Sequence, residues 1–281
     1  MVIVALAVLS SLFYGFSDYA GGRAARRLPA VTVGLICDVL LGAVYTVFVV
    51  LDDVSLDAQA LLWGMVAGIG GVSGVVVFYA ALSRGAMTVA APVTGVVSAV
   101  IPVAIGLLLG ERPGAPAVLG AIIALFAVSL IGGLIGLPHG RVTAASLALP
   151  VIAGSAFGLW FVALERSGDD SGWWPLLTAR FITIPLLVIV HFTSSRRKPV
   201  AYERSAVRDA VSAGLLIMLA NVTYLVAVRE GLLSVVAAIV SLYPAATVAL
   251  AMLIDRERVA RTQIAGMGLA LVSLLLVSTG A

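Results

Sequence analysis

Long apolar runs follow one another along the whole chain, and this pattern constrains the fold more than any other feature. A helix needs about 20 apolar residues to cross the roughly 30 Å hydrocarbon core of a bilayer. Only 11% of the residues are charged, against about 25% in a soluble domain. We therefore predict an all-α integral membrane protein of about ten transmembrane helices. The runs lie at about 2–22, 30–51, 59–82, 86–109, 115–137, 146–164, 174–194, 210–228, 232–254 and 262–280.

Residues that build metal sites, disulfides or nucleic-acid surfaces are scarce. Cys37 is the single cysteine, so an internal disulfide is excluded. The two histidines, His139 and His191, are far apart in sequence, and we expect no metal site and no cofactor. The basic residues lie in short loops, which leaves no platform for nucleic acid. The N-terminus lacks the positive segment of a signal peptide, so we predict that run 2–22 is a retained helix.

Lysine and arginine are unevenly divided between alternate loops. With the loops numbered one to nine along the chain, the odd loops hold thirteen of these residues and the even loops hold three. Cytoplasmic loops carry the excess of Lys and Arg in multi-pass proteins. We therefore predict a multi-pass protein of the plasma membrane with cytoplasmic odd loops and both termini outside. The even loops also hold Asp52, Asp53, Asp57, Asp169 and Asp170.

An internal repeat relates the two halves of the chain. A shift of 146 positions lays the segment 78–112 over the segment 224–258 without a gap. Because five helices is an odd number, the second copy must enter the membrane from the opposite side. We predict two inverted five-helix repeats, 1–140 and 141–281, with a binding site where they meet. The shift matches Ala81 with Ala227, Gly85 with Gly231, Val89 with Val235, Glu111 with Glu257, Arg112 with Arg258 and Pro29 with Pro175.

Short motifs occur in each half in a characteristic order. They are Tyr14-Gly15-Phe16-Ser17-Asp18-Tyr19, its weaker counterpart Phe157-Gly158-Leu159-Trp160-Phe161, Pro175 with Arg180-Phe181, Gly110-Glu111-Arg112, and Tyr243-Pro244 before Glu257. Together they resemble the EamA-type ten-helix transporters of the drug/metabolite transporter (DMT) superfamily. Three features depart from that pattern. Gly34 stands in place of an arginine, Ser98 stands in place of a proline, and the second copy has Asp255-Arg256-Glu257-Arg258 in place of Gly-Glu-Arg. The family is usually described with cytoplasmic termini, opposite to the prediction from the charges.

The resemblance and the inverted repeat predict a secondary transporter that exports or exchanges a small organic metabolite by alternating access. An amino acid, an amine or a drug-like solute fits that description. No nucleotide-binding loop occurs, so ATP does not drive the process directly, and protons are the candidate coupling ion. An intramembrane enzyme, a channel and a structural membrane scaffold are the alternatives. The expected partners are the small-molecule substrate and the lipid bilayer, and a monomer and a homodimer both remain open.

Three charged residues lie inside apolar runs, where a charge is expensive. Asp38 and Arg180 are near enough in predicted depth to form an intramembrane pair, which is either a substrate clamp or a structural ion pair. Asp18 is either a proton or cation site, with Tyr14 and Ser17 on its helix face, or an interfacial carboxylate paired with Arg23 or Arg26. We predict that Trp160, Asn221, Tyr224 and Tyr243 line a cavity, with packing inside the bundle as the alternative.

Glycine, proline and glutamate carry the remaining structural predictions. The spacings Gly64-x3-Gly68 and Gly70-x3-Gly74 predict close packing of the third helix. Glu111 and Glu257 end equivalent helices, and we expect each to cap or ion-pair with the start of the next helix. Prolines inside helices are candidate hinges because they free backbone carbonyls. These prolines are Pro92, Pro102, Pro185 and Pro244.

Overall fold

The computed structural model describes residues 1–83, 87–132, 144–195, 202–256 and 260–280, and within these ranges the regular elements are helices. Several residues that entered the sequence predictions lie outside these ranges, namely Arg84, Gly85, His139, Arg141, Glu257 and Arg258. The side chains of 79–83, 87–92 and 144–146 are likewise outside the described part of the chain. The helices are α1 (Val2–Ala25), α2 (Ala30–Leu51), α3 (Ala58–Ser83), α4 (Met87–Leu108), α5 (Ala115–Ile131), α6 (Ala144–Glu165), α7 (Trp174–Ser195), α8 (Arg204–Glu230), α9 (Leu233–Val240), α10 (Tyr243–Leu253) and α11 (Arg261–Gly280).

Eight segments of the described chain are long and apolar enough to span a membrane, and two shorter apolar helices, Val93–Leu108 and Ala115–Ile131, complete the ten. Large apolar side chains cover the outside of the bundle. Phe126 is 59% exposed and Leu275 is 68% exposed. Such a surface is stable only in contact with lipid tails. The prediction of an all-α membrane protein with about ten transmembrane helices is therefore confirmed.

Two helices differ from the apolar runs that predicted them. Helix α8 begins at Arg204, six residues before the predicted start at 210. Its first turns are polar, and Arg23 of α1 holds them by an ion pair with Asp209, with Nε and Oδ2 3.5 Å apart. The ninth run forms two helices, α9 and α10, because the chain leaves the helix at Ser241 and Leu242. Pro244 follows in the first turn of α10, where its missing N–H is tolerated.

Glycines of α3 allow the close packing that their spacing predicts. A Cβ atom on Gly68 would lie 2.5 Å from the carbonyl oxygen of Ala179 in α7. A Cβ atom on Gly70 would lie 2.7 Å from the carbonyl oxygen of Ala156 in α6. Both separations are shorter than a methyl group tolerates, so α3 touches the backbones of two helices of the second half.

The two ends of the bundle are formed by alternate loops. At one end, Gln59 at the start of α3 donates to the Arg166 carbonyl after α6, at 2.9 Å. At the opposite end, Arg23 near the end of α1 contacts Asp209 near the start of α8. We call these the even-loop end and the odd-loop end. Helix α1 therefore runs from the even-loop end to the odd-loop end, and α6 runs the other way.

Candidate functional site

A cavity of about 500 Å³ lies between the two halves of the chain. Its volume falls in the range of ordinary small-molecule sites. Its lining comes from α1 to α4 of the first half and from α6, α7, α8 and α10 of the second half. Most of the lining is apolar, with a few polar and charged groups. A site at this position belongs to both halves at once.

The cavity extends toward the odd-loop end of the bundle. Gly21, Gly22 and Ala25 line it near the end of α1, and Ala30 and Val31 line it at the start of α2. Gly22 and Ala25 are exposed. These small residues leave an opening between α1 and α2, which gives the cavity an entrance from that end.

Aromatic side chains close the cavity toward the even-loop end. Tyr45 and Tyr224 are fully buried there. The Tyr14 hydroxyl donates to Asn221 Oδ1 at 2.5 Å, and Asn221 Nδ2 donates to the Tyr45 hydroxyl at 3.1 Å. The Tyr224 hydroxyl donates to the Phe161 carbonyl at 3.0 Å. We call Tyr14, Tyr45, Phe161, Asn221 and Tyr224 the aromatic plug. It joins α1, α2, α6 and α8.

Asp38 and Arg180 meet in the wall of the cavity. Arg180 Nη1 donates to Asp38 Oδ1, which joins α2 to α7. The guanidinium carbon lies 5.2 Å from the centre of the Trp160 ring, a cation–π distance. Gly42, one turn after Asp38, packs against the same part of α7, since a Cβ atom there would lie 3.1 Å from Ile184 Cδ1. The pair that the sequence analysis expected is therefore formed.

The contact with Asp38 uses only part of the hydrogen-bonding capacity of Arg180. Its Nε atom is buried and has no hydrogen-bond partner in the described part of the chain, and neither has the hydroxyl of Thr183. The two residues are 7% and 4% exposed and both line the cavity. They are three positions apart on α7, so they share a helix face. This face carries unused hydrogen-bonding capacity beside the cavity.

Asp18 of α1 also lines the cavity and is exposed. The described residues include no hydrogen bond or ion pair to its carboxylate. Arg23, one of the two partners considered for it, binds Asp209 at 3.5 Å and lies over the Tyr19 ring. The carboxylate of Asp18 therefore lines the cavity without a countercharge from the described residues.

Asp18 and Asp38 lie at one level of the bundle. The hydroxyl of Ser17 donates to the Ala213 carbonyl of α8 at 2.9 Å. A Cβ atom on the next residue, Gly214, would lie 3.2 Å from Cys37 Cα. Ser17 of α1 and Cys37 of α2 therefore contact adjacent residues of α8 and lie at about the same depth in the bundle. Asp18 and Asp38, each the next residue along its helix, lie at about that depth as well. The three charged residues form one layer around the cavity.

The other residues predicted for the site differ in how they meet the cavity. Trp160, Asn221 and Tyr243 line the cavity, and Tyr243 stands at the break between α9 and α10. Ser17 borders it, but its hydroxyl is used to hold α1 against α8. Tyr224 lies behind the lining, in the aromatic plug. The structure brings the predicted residues to one region, and their roles remain predictions.

Two residues of this region escaped the sequence analysis. Thr183 follows Arg180 by three positions, so the helical period of α7 contained the signal. Tyr45 is fully buried in the plug and binds Asn221. An aromatic residue in an apolar run carries no such signal, because packing inside the bundle explains it equally well.

Glu111 caps a helix, but a different one from the helix expected. Its carboxylate accepts from the backbone N–H groups of Leu233 at 2.6 Å and Ser234 at 2.9 Å. These belong to the first turn of α9, whereas the expected partner was the next helix, α5. Glu111 lies in the fourth loop, three residues after α4 ends at Leu108, and reaches across to the other half because the fourth and eighth loops meet at the even-loop end. The equivalent Glu257 lies outside the described residues.

Comparisons with known proteins agree on the architecture. The model of the EamA-like transporter family matches residues 1–133 and again residues 143–279. A solved structure described as "Crystal structure of protein" is similar at a TM-score of 0.72 and 17% identity, over 99% of this chain and 96% of that chain. At that identity the similarity supports the fold alone. No curated protein matches the chain.

Proposed function

Because the chain belongs to the EamA-like transporter family, and is therefore a multi-pass membrane transporter of the DMT type, we propose that it carries a small organic metabolite by alternating access. The cavity supports this mechanism. It lies between the halves, reaches the odd-loop end and is closed toward the even-loop end by the aromatic plug. A secondary transporter opens a central site to one side at a time. This structure corresponds to the state open at the odd-loop end.

The proposal includes two inverted repeats, 1–140 and 141–281. In chain order, α1 of the first half corresponds to α6 of the second, α3 corresponds to α8, and α4 corresponds to α9 and α10 together. The contacts between the halves come in matching pairs. The contact of α1 with α8 matches that of α6 with α3, and the contact of α4 with α6 matches that of α10 with α1. Equivalent helices also pack on each other, α2 on α7 and α5 on α11. Such exchange is characteristic of a two-fold axis. The opposite directions of α1 and α6 support an axis in the membrane plane.

The cavity favours transport over the other classes considered. An enzyme needs a nucleophile within hydrogen-bond reach of a base. Among the described cavity residues the charged pair is Asp38 with Arg180, which is not such an arrangement. A channel needs a continuous polar path, whereas the plug interrupts this one with buried aromatic rings. A rigid scaffold has no need of unpartnered polar groups around a cavity.

Flux into proteoliposomes tests the transporter proposal. We expect at least one labelled amino acid, amine or nucleoside to enter, and an imposed pH gradient to accelerate its uptake. Asp18→Asn is expected to abolish the acceleration, because its amide cannot exchange a proton at this position. Asp53→Asn, which removes an exposed carboxylate from the second loop, is the matched control and should behave as the wild type. Absence of flux for every solute would contradict the proposal.

We further propose that the protein lies in the plasma membrane with cytoplasmic odd loops, so that the cavity opens to the cytoplasm. Alkaline phosphatase fused after Ala281 in a bacterial host is then expected to be active, and green fluorescent protein at the same position to be dark. Fusions after residue 199, in the seventh loop, serve as the control and should give the opposite pair of signals. An inactive phosphatase with a bright fluorescent protein at Ala281 would reverse the orientation.

A further inference from the structure

We propose that the cavity binds a singly charged organic cation with an aromatic or apolar body and one neutral hydrogen-bond acceptor. This inference rests on the proposed function, since it names the substrate class of the same site. Three observations carry it: the uncompensated carboxylate of Asp18, the aromatic walls, and the unused donors of Arg180 and Thr183.

The charge of the cavity is the first observation. Its described lining holds two carboxylates, Asp18 and Asp38, and one guanidinium, Arg180. Arg180 is bound to Asp38, so these two charges compensate each other. Asp18 is left with a single uncompensated negative charge. An isolated charge away from bulk water is unfavourable, and a ligand with one positive charge brings the layer to neutrality.

Ligands of other charge fit this layer less well. A zwitterion is neutral overall, so its binding leaves the uncompensated negative charge in the cavity. An anion would add a second one beside Asp18. Arg180 does not attract an anion as a free arginine would, because Asp38 already occupies one of its terminal nitrogens. The arrangement therefore discriminates in favour of a cation.

The walls of the cavity are the second observation. Tyr14, Phe157, Trp160, Phe161 and Tyr243 all contribute to the lining. Aromatic rings bind flat apolar groups by packing, and their faces attract cations. The volume of about 500 Å³ leaves room for a body larger than a simple ammonium ion. The favoured ligand is therefore amphipathic.

The buried donors are the third observation. Among the described residues, Arg180 Nε and the Thr183 hydroxyl have no hydrogen-bond partner, and a buried polar group without a partner is unfavourable. A hydroxyl, ether or carbonyl oxygen on the ligand would accept from them without adding charge. A cation with such an acceptor offers a partner to Asp18 and to these donors, whereas an amine without the acceptor offers one to Asp18 alone.

Three probes that share one aromatic body test the inference by calorimetric titration of the full-length protein in lipid nanodiscs. Phenylalanine is the zwitterion, phenylalaninol is the cation with a hydroxyl, and phenethylamine is the cation without one. We expect phenylalaninol to bind at least about tenfold more tightly than phenylalanine, a difference of about 1.4 kcal/mol. Asp18→Asn should remove that preference, while Asp18→Glu and the control Asp53→Asn should retain it.

The acceptor is tested separately from the charge. Phenylalaninol is expected to bind several-fold more tightly than phenethylamine, and Thr183→Val should reduce that advantage while leaving the preference for cations intact. Thr193→Val is the matched control, because Thr193 is exposed near the end of the same helix and donates to the Ile189 carbonyl of α7 at 2.8 Å.

Several outcomes overturn the inference. Equal or tighter binding of phenylalanine, a preference for phenylalaninol that survives Asp18→Asn, or no binding of either cation each contradict it. The proteoliposome assay separates these results from a failure of the proposed function. If a solute is transported but cations are not preferred, the transporter proposal stands and the proposed substrate class is wrong. If cations bind at Asp18 but no solute is transported, the binding site is supported and the transporter proposal is contradicted.

Discussion

Arg180→Met is expected to destabilise the protein by about 3 kcal/mol and to abolish transport. The change leaves the Asp38 carboxylate unpaired in the wall of the cavity, and breaking one partner of a buried pair is strongly unfavourable. We place the effect at the low end of that class because the cavity admits water. The measurement is the unfolding midpoint in detergent, which should fall by several degrees, together with flux in proteoliposomes.

A second variant separates the two interpretations of this pair. Asp38→Asn combined with Arg180→Met removes both charges, so no unpaired charge remains and most of the stability is expected to return. If the pair belongs to the transport mechanism, flux stays absent in this double variant. Recovery of flux along with stability would show that the pair only holds α2 against α7.

Glu111→Ala is expected to destabilise the protein by roughly 2–6 kcal/mol. The N–H groups of Leu233 and Ser234 both donate to this carboxylate, and the two residues are 1% and 2% exposed. Each buried donor left without a partner is unfavourable by about 1–3 kcal/mol. The unfolding midpoint of the purified protein measures the loss. We also expect the break between α9 and α10 to become more accessible to protease, because α9 loses its cap.

Two variants control this result. Glu111→Gln keeps an acceptor oxygen and should lose less stability than Glu111→Ala. Arg112→Ala changes the adjacent exposed residue and should leave the unfolding midpoint near that of the wild type. Equal losses for Arg112→Ala and Glu111→Ala would mean that the fourth loop as a whole, rather than the contact with α9, is responsible.

The helices could be predicted closely because the length of an apolar run is a local property. Helix α2 occupies the predicted residues 30–51, and the ends of most other helices lie within a few residues of their runs. The break at Ser241 and Leu242 was not predicted, although Pro244 beside it was a candidate hinge. Hydropathy does not change there, since every residue of α9 is apolar or small and buried.

The candidate site could be predicted only in part. Asp18, Asp38 and Arg180 stood out because a charge in an apolar run is expensive wherever it lies. The unpartnered state of Asp18 could not be predicted, because the nearby Arg23 and Arg26 made an ion pair an equally good interpretation of the sequence. In the structure, Arg23 forms an ion pair with Asp209 instead. That choice leaves Asp18 with the uncompensated charge from which the substrate class is inferred.

The sequence by itself determined the membrane environment, the number of helices and the three charges inside the bundle, because these depend on composition over about 20 residues at a time. The tertiary structure alone decided which end of the cavity is closed and which groups are left without partners. Those features depend on contacts between distant segments, such as Asn221 with Tyr45, 176 positions apart, and Glu111 with Leu233, 122 positions apart. Local patterns contain no information about such pairs, so the layer of charges around the cavity became visible only in the folded chain.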